Sequence, residues 1–589
     1  MRFHLTSASA IIALIAVTLA AQQPAATQEK GKRNNKGGGE ETERGRAQAR
    51  SMVITKFGIV ATSQTLASQA GAKILEAGGN AIDAAIAANA VLGLVEPESD
   101  GIGGDLFAIY YDAKTKKLYG LNASGWAPSG LTVEYLKARN ITRMPNNGMF
   151  SISVPGAVAG WEALRGRFGS LPYSTLLAPA IYYAEQGFPV TEIIQGSWKG
   201  SENKLSNTQY AKETYLPGGK APEVGEMFKN PGLAASLKRI AAANGPNGFY
   251  KGATAEAILR LSKENDGTFT ASDLADFKPE WIEPVSTTYH GWTISELPPN
   301  SSGVAVLEML NIMETFPLAS YGHNSTKALH VMIEAKKLAY NDLLKYIGDP
   351  EFAKLPTAEL MSKPFAEKRA AAIDPMKATC MVVPGALTSM ATKPAGDTIY
   401  MTVADKDGNM VSFIQSIYGI FGSGLVAPGT GFIMQNRAGL FTLEDGHPNR
   451  LAPHKRPLHT LIPGFMSKGD IRIPFGIMGG WNQQQAHAQF VSNIVDHNMN
   501  LQMAMEAARF TKGSFDGCDV QLESRIPKEV RDELTKMGHD VRDAGPYSGS
   551  MGGGQAVMRN AAGVNFGASD PRKDGAAIPE MPPGVVKMK

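Results

Sequence analysis

The stretch from Gly396 to Tyr418, GDTIYMTVADKDGNMVSFIQSIY, constrains the fold more than any other part of the chain. Two runs rich in β-branched and aromatic residues flank the turn sequence Lys406-Asp407-Gly408, which is typical of a β-hairpin. A three-residue loop of this kind favours a type I turn closed by a left-handed glycine, and that turn fixes the register of the two strands. In this register Thr398, at the start of the first strand, faces Ser416 on the second.

An Asp-Thr step that opens a strand has a specific chemical use. If the bond between Asp397 and Thr398 breaks, Thr398 gains a free α-amine with a pKa of about 8. That amine can act as the base for the hydroxyl of the same residue, and Ser416 would then position the nucleophile. Spacing alone favours an ordinary hairpin with a threonine at its edge, because threonine is common in strands.

The same stretch resembles the start of the small subunit of the γ-glutamyltransferase (γ-glutamyltranspeptidase) family, whose members are N-terminal-nucleophile hydrolases. Similar blocks follow the order of this family from about residue 52 onward, at residues 58–105, 153–164 (SVPGAVAGWEAL), 297–314, 333–350, 421–436 (FGSGLVAPGTGFIMQN), 454–464 (HKRPLHTLIPG), 477–480 (IMGG) and 567–575 (GASDPRKDG). The resemblance implies an α/β (α+β) fold with four layers, αββα, formed by both halves of a self-cleaved precursor.

The resemblance also implies the catalytic groups. Thr398 would be the nucleophile, cleavage would fall between Asp397 and Thr398, and Ser416 would orient the nucleophile. Gly479-Gly480 follow the strand-like run before them, and their N–H groups would hold the oxyanion, since glycine lets the backbone come close to a ligand. A simple turn is the structural alternative for this glycine pair.

The positions at which classical members recognise a γ-glutamyl group differ in this chain. Those members use an arginine for the α-carboxylate, an asparagine on the second hairpin strand, an acidic residue for the α-amine, and a serine pair. The corresponding residues here are Ser124 or Trp126, Tyr418, Leu440, and His459-Thr460, of which Thr460 can still form a hydrogen bond.

A short connection and one arginine point to a divergent branch of the family. Only 13 residues separate Phe441 from Lys455, so the lid of classical members is short here. This resembles the branch that contains lidless γ-glutamyl hydrolases and cephalosporin (glutaryl) acylases. Arg437 is the candidate for binding a substrate carboxylate, because guanidinium pairs with carboxylates in a bidentate manner. A structural salt bridge is the alternative role for Arg437.

The N-terminal region predicts export. Residues 1–21 contain a short apolar run followed by small residues, which is typical of a cleaved signal peptide and too short for a membrane span. Residues 22–50 are polar and predict a disordered linker. We therefore expect a periplasmic or secreted protein with a large subunit at 51–397, a small subunit at 398–589, and no membrane span in the mature form.

Composition and short motifs give no sign of a nucleic-acid-binding protein or of a metal site. The net charge of +3 comes without a nucleic-acid-binding motif. Cys380 and Cys518 can form a disulfide or remain as two buried thiols, and both possibilities stay open. His330 and Glu334 lie one helical turn apart, but we find no third ligand near them in the sequence, so polar contacts on a helix face are favoured over a metal pair. We predict neither a metal nor a cofactor.

Apolar periodicity and capping residues predict the flanking elements. We expect helices over Gln64–Glu76, Ala81–Leu94 and Ser325–Tyr346, and strands over Leu106–Tyr111, Phe432–Asn436 and Ile471–Met478.

Three functions are compatible with these features. The first is an exported, self-cleaving threonine amidase that acts on γ-glutamyl compounds such as glutathione, by hydrolysis or by transfer to amino acids or peptides, as a heterodimer of its own two subunits. The second is a glutaryl or cephalosporin-type acylase with the same fold and chemistry. The third belongs to another class, an uncleaved periplasmic binding protein.

Overall fold

Strands and helices of the protein are assigned in a computed structural model that describes residues 48–382, 397–515 and 517–584. The predicted signal peptide and nearly all of the predicted linker lie outside the described residues. The strands are β1 (Val53–Thr55), β2 (Ile59–Thr62), β3 (Asp105–Asp112), β4 (Lys117–Ala123), β5 (Phe188–Pro189), β6 (Met227–Phe228), β7 (Glu280–Ile282), β8 (Val285–Tyr289), β9 (Trp292–Glu296), β10 (Ile399–Ala404), β11 (Met410–Ser416), β12 (Gly464–Lys468), β13 (Ile471–Ile477), β14 (Phe510–Thr511), β15 (Asp519–Leu522), β16 (Asp540–Asp543), β17 (Gly554–Arg559), β18 (Asn565–Ser569) and β19 (Ala576–Pro579).

The helices in the large half are α1 (Thr65–Glu76), α2 (Ala81–Val95), α3 (Val133–Lys137), α4 (Ala157–Phe168), α5 (Tyr173–Leu176), α6 (Ala178–Gln186), α7 (Glu192–Lys199), α8 (Glu202–Ser206), α9 (Gln209–Tyr215), α10 (Pro231–Ala242), α11 (Asn247–Tyr250), α12 (Gly252–Glu264), α13 (Ala271–Ala275), α14 (Gly303–Met313), α15 (Leu318–Tyr321), α16 (Thr326–Tyr346), α17 (Thr357–Leu360) and α18 (Lys363–Ala370). Those in the small half are α19 (Gln483–Val495), α20 (Leu501–Glu506) and α21 (Lys528–Lys536).

Two seven-stranded sheets form the centre of the molecule. One has the order β1-β18-β17-β13-β12-β9-β8 and the other β19-β2-β10-β11-β3-β4-β7, with antiparallel neighbours throughout. Apolar side chains such as Phe107, Tyr400 and Phe465 fill the space between the sheets. Helices that include α1, α2 and α4 cover one outer face, and helices that include α14, α16 and α19 cover the other. The predicted αββα sandwich is confirmed.

The capping residues begin the helices where the sequence predicts. The Gln64 side chain accepts a hydrogen bond from the backbone N–H of Leu66 at the start of α1, and Ser325 caps α16. Asn80 and Asp83 form a reciprocal capping box at the start of α2, which satisfies N–H groups that the helix itself leaves without partners. Nearly every residue of α2 is buried, which explains why its apolar pattern lacks a polar face.

The prediction of a strand over Phe432–Asn436 is wrong. Only an isolated bridge joins Ile433 to Val426 there. The N–H of Met434 donates to the Leu425 carbonyl, whereas the next N–H donates to the carbonyl of Gly103. Because successive amides bond to different segments, no continuous ladder forms, although the residues are as buried as those of a strand.

The two halves of the chain interleave in both sheets. Strand β2 of the large half lies between β10 and β19 of the small half, and β3 of the large half pairs with β11. In the other sheet, β9 of the large half pairs with β12 of the small half. The predicted subunit boundary at residue 397 therefore does not separate two folding units.

Cys380 and Cys518 form a disulfide, which decides between the two possibilities that the sequence leaves open. Among the described residues, no helix combines the length and the apolarity that crossing a membrane would require.

The close contact between the sheets generates a prediction. A Cβ at Gly476 in β13 would collide with the ring of Tyr400, which is fully buried between the sheets. Gly476→Ala should lower the free energy of unfolding by ~1–3 kcal/mol, as overpacked cores do. Thermal unfolding followed by circular dichroism measures the effect. The control is Gly196→Ala at an exposed position of helix α7, where a Cβ meets no atom within 4 Å. Equal midpoints for the two variants would contradict the prediction.

Candidate active site

The hairpin of β10 and β11 forms in the predicted register. Ile399 pairs with Gln415, so the preceding Thr398 lies opposite Ser416. Gly408 closes the turn with a φ of 91°, and its N–H donates to the carbonyl of Asp405 at 3.2 Å. Thr398 is only 1% exposed. The turn chemistry therefore brings the two hydroxyl residues together inside the protein.

The hydroxyl of Ser416 points at the peptide bond between Asp397 and Thr398. Its Oγ donates to the Asp397 carbonyl oxygen at 2.9 Å, and it accepts from the N–H of Tyr418 at 2.7 Å. The N–H of Asp397 donates to the Tyr418 carbonyl at 3.0 Å. Ser416 and Tyr418 thus bond to the carbonyl and to the N–H of Asp397, the residue before the predicted cleavage point.

Tyr418 has an unusual backbone conformation at this point. Its φ of 76° lies in the left-handed region, which non-glycine residues seldom adopt. This conformation lets the N–H of Tyr418 bond to Ser416 while its carbonyl bonds to Asp397. Such backbone strain, which costs ~1–3 kcal/mol, is concentrated at functional sites.

The Asp397 carboxylate is held on two sides. Its Oδ1 accepts from the Thr398 N–H at 2.8 Å, and its Oδ2 accepts from Lys573 Nζ at 2.8 Å. Burial opposes the charge of Lys573, but the carboxylates of Asp397, Glu96 and Glu98 raise its pKa above the ordinary value. Burial raises the pKa of Glu96 to about 7, and burial together with Glu96 raises that of Glu98 well above its ordinary value. The junction therefore lies in a buried cluster of ionisable groups.

The Asp105 carboxylate connects four separate segments beneath the site. Its Oδ1 accepts from the backbone N–H groups of Gly125 (2.8 Å) and Gly156 (3.2 Å) and from Gln435 Nε2 (2.8 Å), while its Oδ2 bonds to His459 Nε2 at 3.1 Å. Burial raises the pKa of Asp105 to about 6, although Arg437 and these donors oppose the shift. Sequence reasoning missed Asp105, whose signal was a carboxylate at the start of a buried strand directly after a glycine run.

His459 uses both ring nitrogens within the protein. Its Nδ1 accepts from the N–H of Leu461 at 3.2 Å, so its Nε2 carries the proton and donates to Asp105. Burial lowers the pKa of His459 well below its ordinary value, and the Arg437 charge adds to this effect. A neutral His459 therefore orients Asp105 and has no nitrogen left for a ligand.

Arg437 is fully buried with two donors unused. Its Nη1 donates to Thr460 Oγ1 at 2.9 Å, and its guanidinium carbon lies 4.5 Å from the ring centroid of Tyr418. Its Nε and Nη2 have no hydrogen-bond partner among the described residues. Burial lowers the pKa of Arg437 to about 10, against the influence of Asp105, so the side chain stays charged at neutral pH. No carboxylate of the described chain lies within ion-pair distance of it, which disfavours the structural salt bridge.

Gly479 and Gly480 lie just after β13, with only Met478 between the strand and the glycine pair. Their φ angles of 121° and 57° are conformations that glycine adopts without steric cost. Neither amide N–H donates to another described residue. The pair can therefore offer adjacent donors to a ligand.

Trp126 and Ser124, the residues at the position of the classical arginine, form hydrogen bonds within the protein. Trp126 donates from Nε1 to the Asp273 carbonyl at 3.3 Å and packs against the rings of Phe277 and His454. Ser124 is buried and bonds to Asn122 and Asn300.

The expectation that His330 and Glu334 lack a third neighbour is wrong. His539 lies beside them, and ligand atoms of the three residues lie within 4.8 Å of one another. However, Lys337 Nζ bonds to Glu334 Oε1 at 2.6 Å, and the two imidazoles bond to each other at 2.9 Å. The cluster as it stands is a buried polar network whose carboxylate is already neutralised by a lysine.

Comparisons with known proteins identify the family. The sequence model described as Gamma-glutamyltranspeptidase matches residues 67–580. The chain belongs to the γ-glutamyltranspeptidase family. It is 36% identical over 535 residues to the Glutathione hydrolase-like YwrD proenzyme of Bacillus subtilis (strain 168), covering 90% of this chain and 99% of that protein. It is also 36% identical over 538 residues to the Acylase ACY 1 proenzyme of Pseudomonas sp. (strain SE83), covering 88% and 93%.

A solved structure agrees with this assignment. The cephalosporin acylase from Bacillus halodurans superposes with a TM-score of 0.84 at 41% identity, covering 91% of this chain and 98% of that one. This γ-glutamyltranspeptidase-family protein is therefore a hydrolytic enzyme with the N-terminal-nucleophile hydrolase fold. The sequence-based alternative of a non-catalytic binding protein is not supported.

The buried carboxyl of Glu96 predicts a pH effect on stability. Its pKa is about 7 in the folded protein and near 4.5 in the unfolded chain, so the folded state alone holds the proton between these values. Stability should therefore fall as pH rises from 4.5 through 7, by a few kcal/mol at most, since one pKa unit corresponds to ~1.4 kcal/mol. Glu96→Gln should flatten the dependence of the thermal midpoint on pH.

This comparison is made in a Thr398→Ala background, which removes the predicted nucleophile and so excludes the predicted cleavage after Asp397. Glu134→Gln is the control, because Glu134 is exposed and its pKa is lowered, so it does not titrate in this window. An unchanged pH profile in Glu96→Gln would contradict the assignment.

Proposed function

We propose that this enzyme cleaves its own chain between Asp397 and Thr398 and then hydrolyses amide bonds of γ-glutamyl compounds, with glutathione as a natural substrate. The observation that carries the proposal is the hydrogen bond from Ser416 Oγ to the carbonyl oxygen of Asp397. A donor on that oxygen stabilises the negative charge that develops when a nucleophile attacks the carbonyl carbon.

The self-cleavage proceeds by attack of Thr398 Oγ on the carbonyl carbon of Asp397. The new C–O bond replaces the C–N bond, and the hydroxyl proton ends on the Thr398 nitrogen, which leaves as an amine. Lys573 Nζ donates to Asp397 Oδ2 and so holds this side chain in place. The Oδ1 of Asp397 accepts a hydrogen bond from the Thr398 nitrogen. Water then hydrolyses the ester, which frees the Asp397 carboxyl group and regenerates the Thr398 hydroxyl.

The mature enzyme uses the freed Thr398 for amide hydrolysis. The α-amine takes the hydroxyl proton as Oγ attacks the substrate carbonyl, and it returns the proton to the leaving amine. The N–H groups of Gly479-Gly480 receive the tetrahedral oxyanion, and Ser416, released from the Asp397 carbonyl, orients Thr398. Water resolves the acyl-enzyme, and the amine of an amino acid or peptide is an alternative acceptor.

The guanidinium of Arg437 is the proposed binding group for a carboxylate of the substrate. The two unused donors of a fully buried guanidinium match a carboxylate, which accepts two parallel hydrogen bonds. Thr460 and the Tyr418 ring hold the guanidinium, and the Tyr418 backbone in turn bonds to the cleavage junction. The γ-glutamyl group carries such a carboxylate four bonds from its amide carbonyl.

A glutaryl-type acylase is the second candidate. At the position where classical members carry an acidic residue for the substrate α-amine, this chain has the buried, apolar Leu440. Ser124 has neither the charge nor a free hydroxyl for the α-carboxylate, because it bonds to Asn122 and Asn300. A glutaryl group keeps the carboxylate and lacks the amine, so Arg437 would bind it equally well.

Export and a two-subunit mature form complete the proposal. The signal-like residues 1–21 support a periplasmic or secreted location, and the disulfide supports an oxidising compartment. The interleaved strands support a heterodimer that stays associated after cleavage.

Self-cleavage is tested by substitution at the junction. Thr398→Ala should remain one chain, and Ser416→Ala should cleave ~10²–10³-fold more slowly, because one oxyanion donor is lost. Denaturing gels over time and N-terminal sequencing of the small fragment measure this. Ser412→Ala is the matched control, because it removes a hydroxyl from the same strand that bonds to Tyr400 instead. Cleavage of Ser416→Ala at the wild-type rate would exclude the proposed donor.

Substrate recognition is tested at Arg437. Arg437→Met should lower kcat/KM for γ-glutamyl and glutaryl p-nitroanilides by about 10- to 100-fold, the effect of losing a hydrogen bond to a charged group. Pentanoyl p-nitroanilide, which lacks the carboxylate, should be unaffected and serves as the control. Equal losses on all three substrates would mean that Arg437 is structural. In the wild type, near-equal rates on the first two would favour the acylase over a γ-glutamyl-specific enzyme.

A further inference from the structure

Residues 374–382, the tail segment, are the last described residues of the large half before Asp397. Cys380 in this segment is bonded to Cys518, 138 residues further along the chain, and Thr398 lies between them. The disulfide therefore joins a residue before the proposed cleavage point to one after it. The chain contains no other cysteine that could compete for either partner.

Backbone hydrogen bonds seat the tail segment on the small half on both sides of this disulfide. The N–H of Ala378 donates to the Met537 carbonyl at 2.8 Å, and the N–H of Gly517 donates to the Cys380 carbonyl at 2.9 Å. The cysteines are thus brought together by contacts that do not depend on the disulfide itself.

A buried polar network supports the same segment from helix α16. His330 Nε2 donates to the Asp374 carbonyl at 2.7 Å, so His330 Nδ1 accepts from His539 Nε2 of the small half at 2.9 Å. Lys337 Nζ bonds to the Thr379 carbonyl at 3.2 Å as well as to Glu334. Burial, aided by Lys337 and His330, lowers the pKa of His539 to about 3, so His539 itself stays neutral at physiological pH.

We infer that the Cys380–Cys518 disulfide is an inter-subunit tether of the mature enzyme, an inference that rests on the proposed self-cleavage. It forms when the two thiols pass two electrons and two protons to a disulfide-bearing oxidant of the export compartment, which becomes a dithiol. After cleavage the tail segment stays bonded to the small subunit. The two subunits then cannot separate on dilution.

Gel electrophoresis of alkylated protein tests the tether directly. Purified wild type should run as one covalent species without reductant and as two fragments with dithiothreitol, and peptide mapping should recover the Cys380–Cys518 pair. Two fragments already present without reductant would overturn the tether and leave the self-cleavage intact. One chain under both conditions would overturn self-cleavage and the tether together.

Dilution tests what the tether does. In a cleaved Cys380→Ser/Cys518→Ser variant, unfolding releases two chains, so the urea midpoint should fall over an about 100-fold dilution, whereas that of the wild type should stay constant. Amidase activity at high concentration shows that the variant is folded. If the variant fails to fold, wild type reduced after purification takes its place. A midpoint independent of concentration in the reduced or substituted protein would overturn the inference.

Discussion

The antiparallel pairing of β10 with β11 is the constraint on which the site depends. These strands lie at the centre of their sheet, with β2 on one side and β3 on the other, so their register is locked from both edges. A shift by one residue would turn the apolar side chains between the sheets toward the helices. The same register holds Thr398 opposite Ser416, and it pairs Ser416 with Asp105 of β3. Core packing and site geometry are therefore fixed by one set of backbone hydrogen bonds.

Buried charge is the second organising feature. Asp105 remains acceptable inside the protein because donors from four segments surround it, and its charge offsets that of Arg437 through space. Arg437 itself keeps two donors without protein partners. A fully buried guanidinium in this state is costly for stability, and a ligand carboxylate would satisfy it. Lys573, within the buried cluster of ionisable groups, donates to the Asp397 carboxylate and so holds this side chain at the junction.

The interleaving of the two halves explains how the fold would survive the proposed cleavage before Thr398. Strands from before and after residue 397 pair with each other in both sheets, so each half completes hydrogen bonds of the other. The cleavage junction leads directly into a central strand, whereas the tail segment is anchored elsewhere on the small half. The tail segment and strand β10 are each held by their own bonds, so a break at the junction changes no strand pairing.

The sequence by itself determined the features that depend on local chemistry. The Lys406-Asp407-Gly408 turn sets the hairpin register, the capping residues begin α1, α2 and α16, and the apolar pattern and family resemblance indicate the sandwich. Only the tertiary structure decided what distant segments do together. The bonds of Asp105, the unused donors of Arg437, the place of His539 beside His330 and the pairing of Cys380 with Cys518 all join residues far apart in the chain. The missing strand at Phe432–Asn436 has the same origin, because β propensity cannot reveal that neighbouring amides bond to different segments.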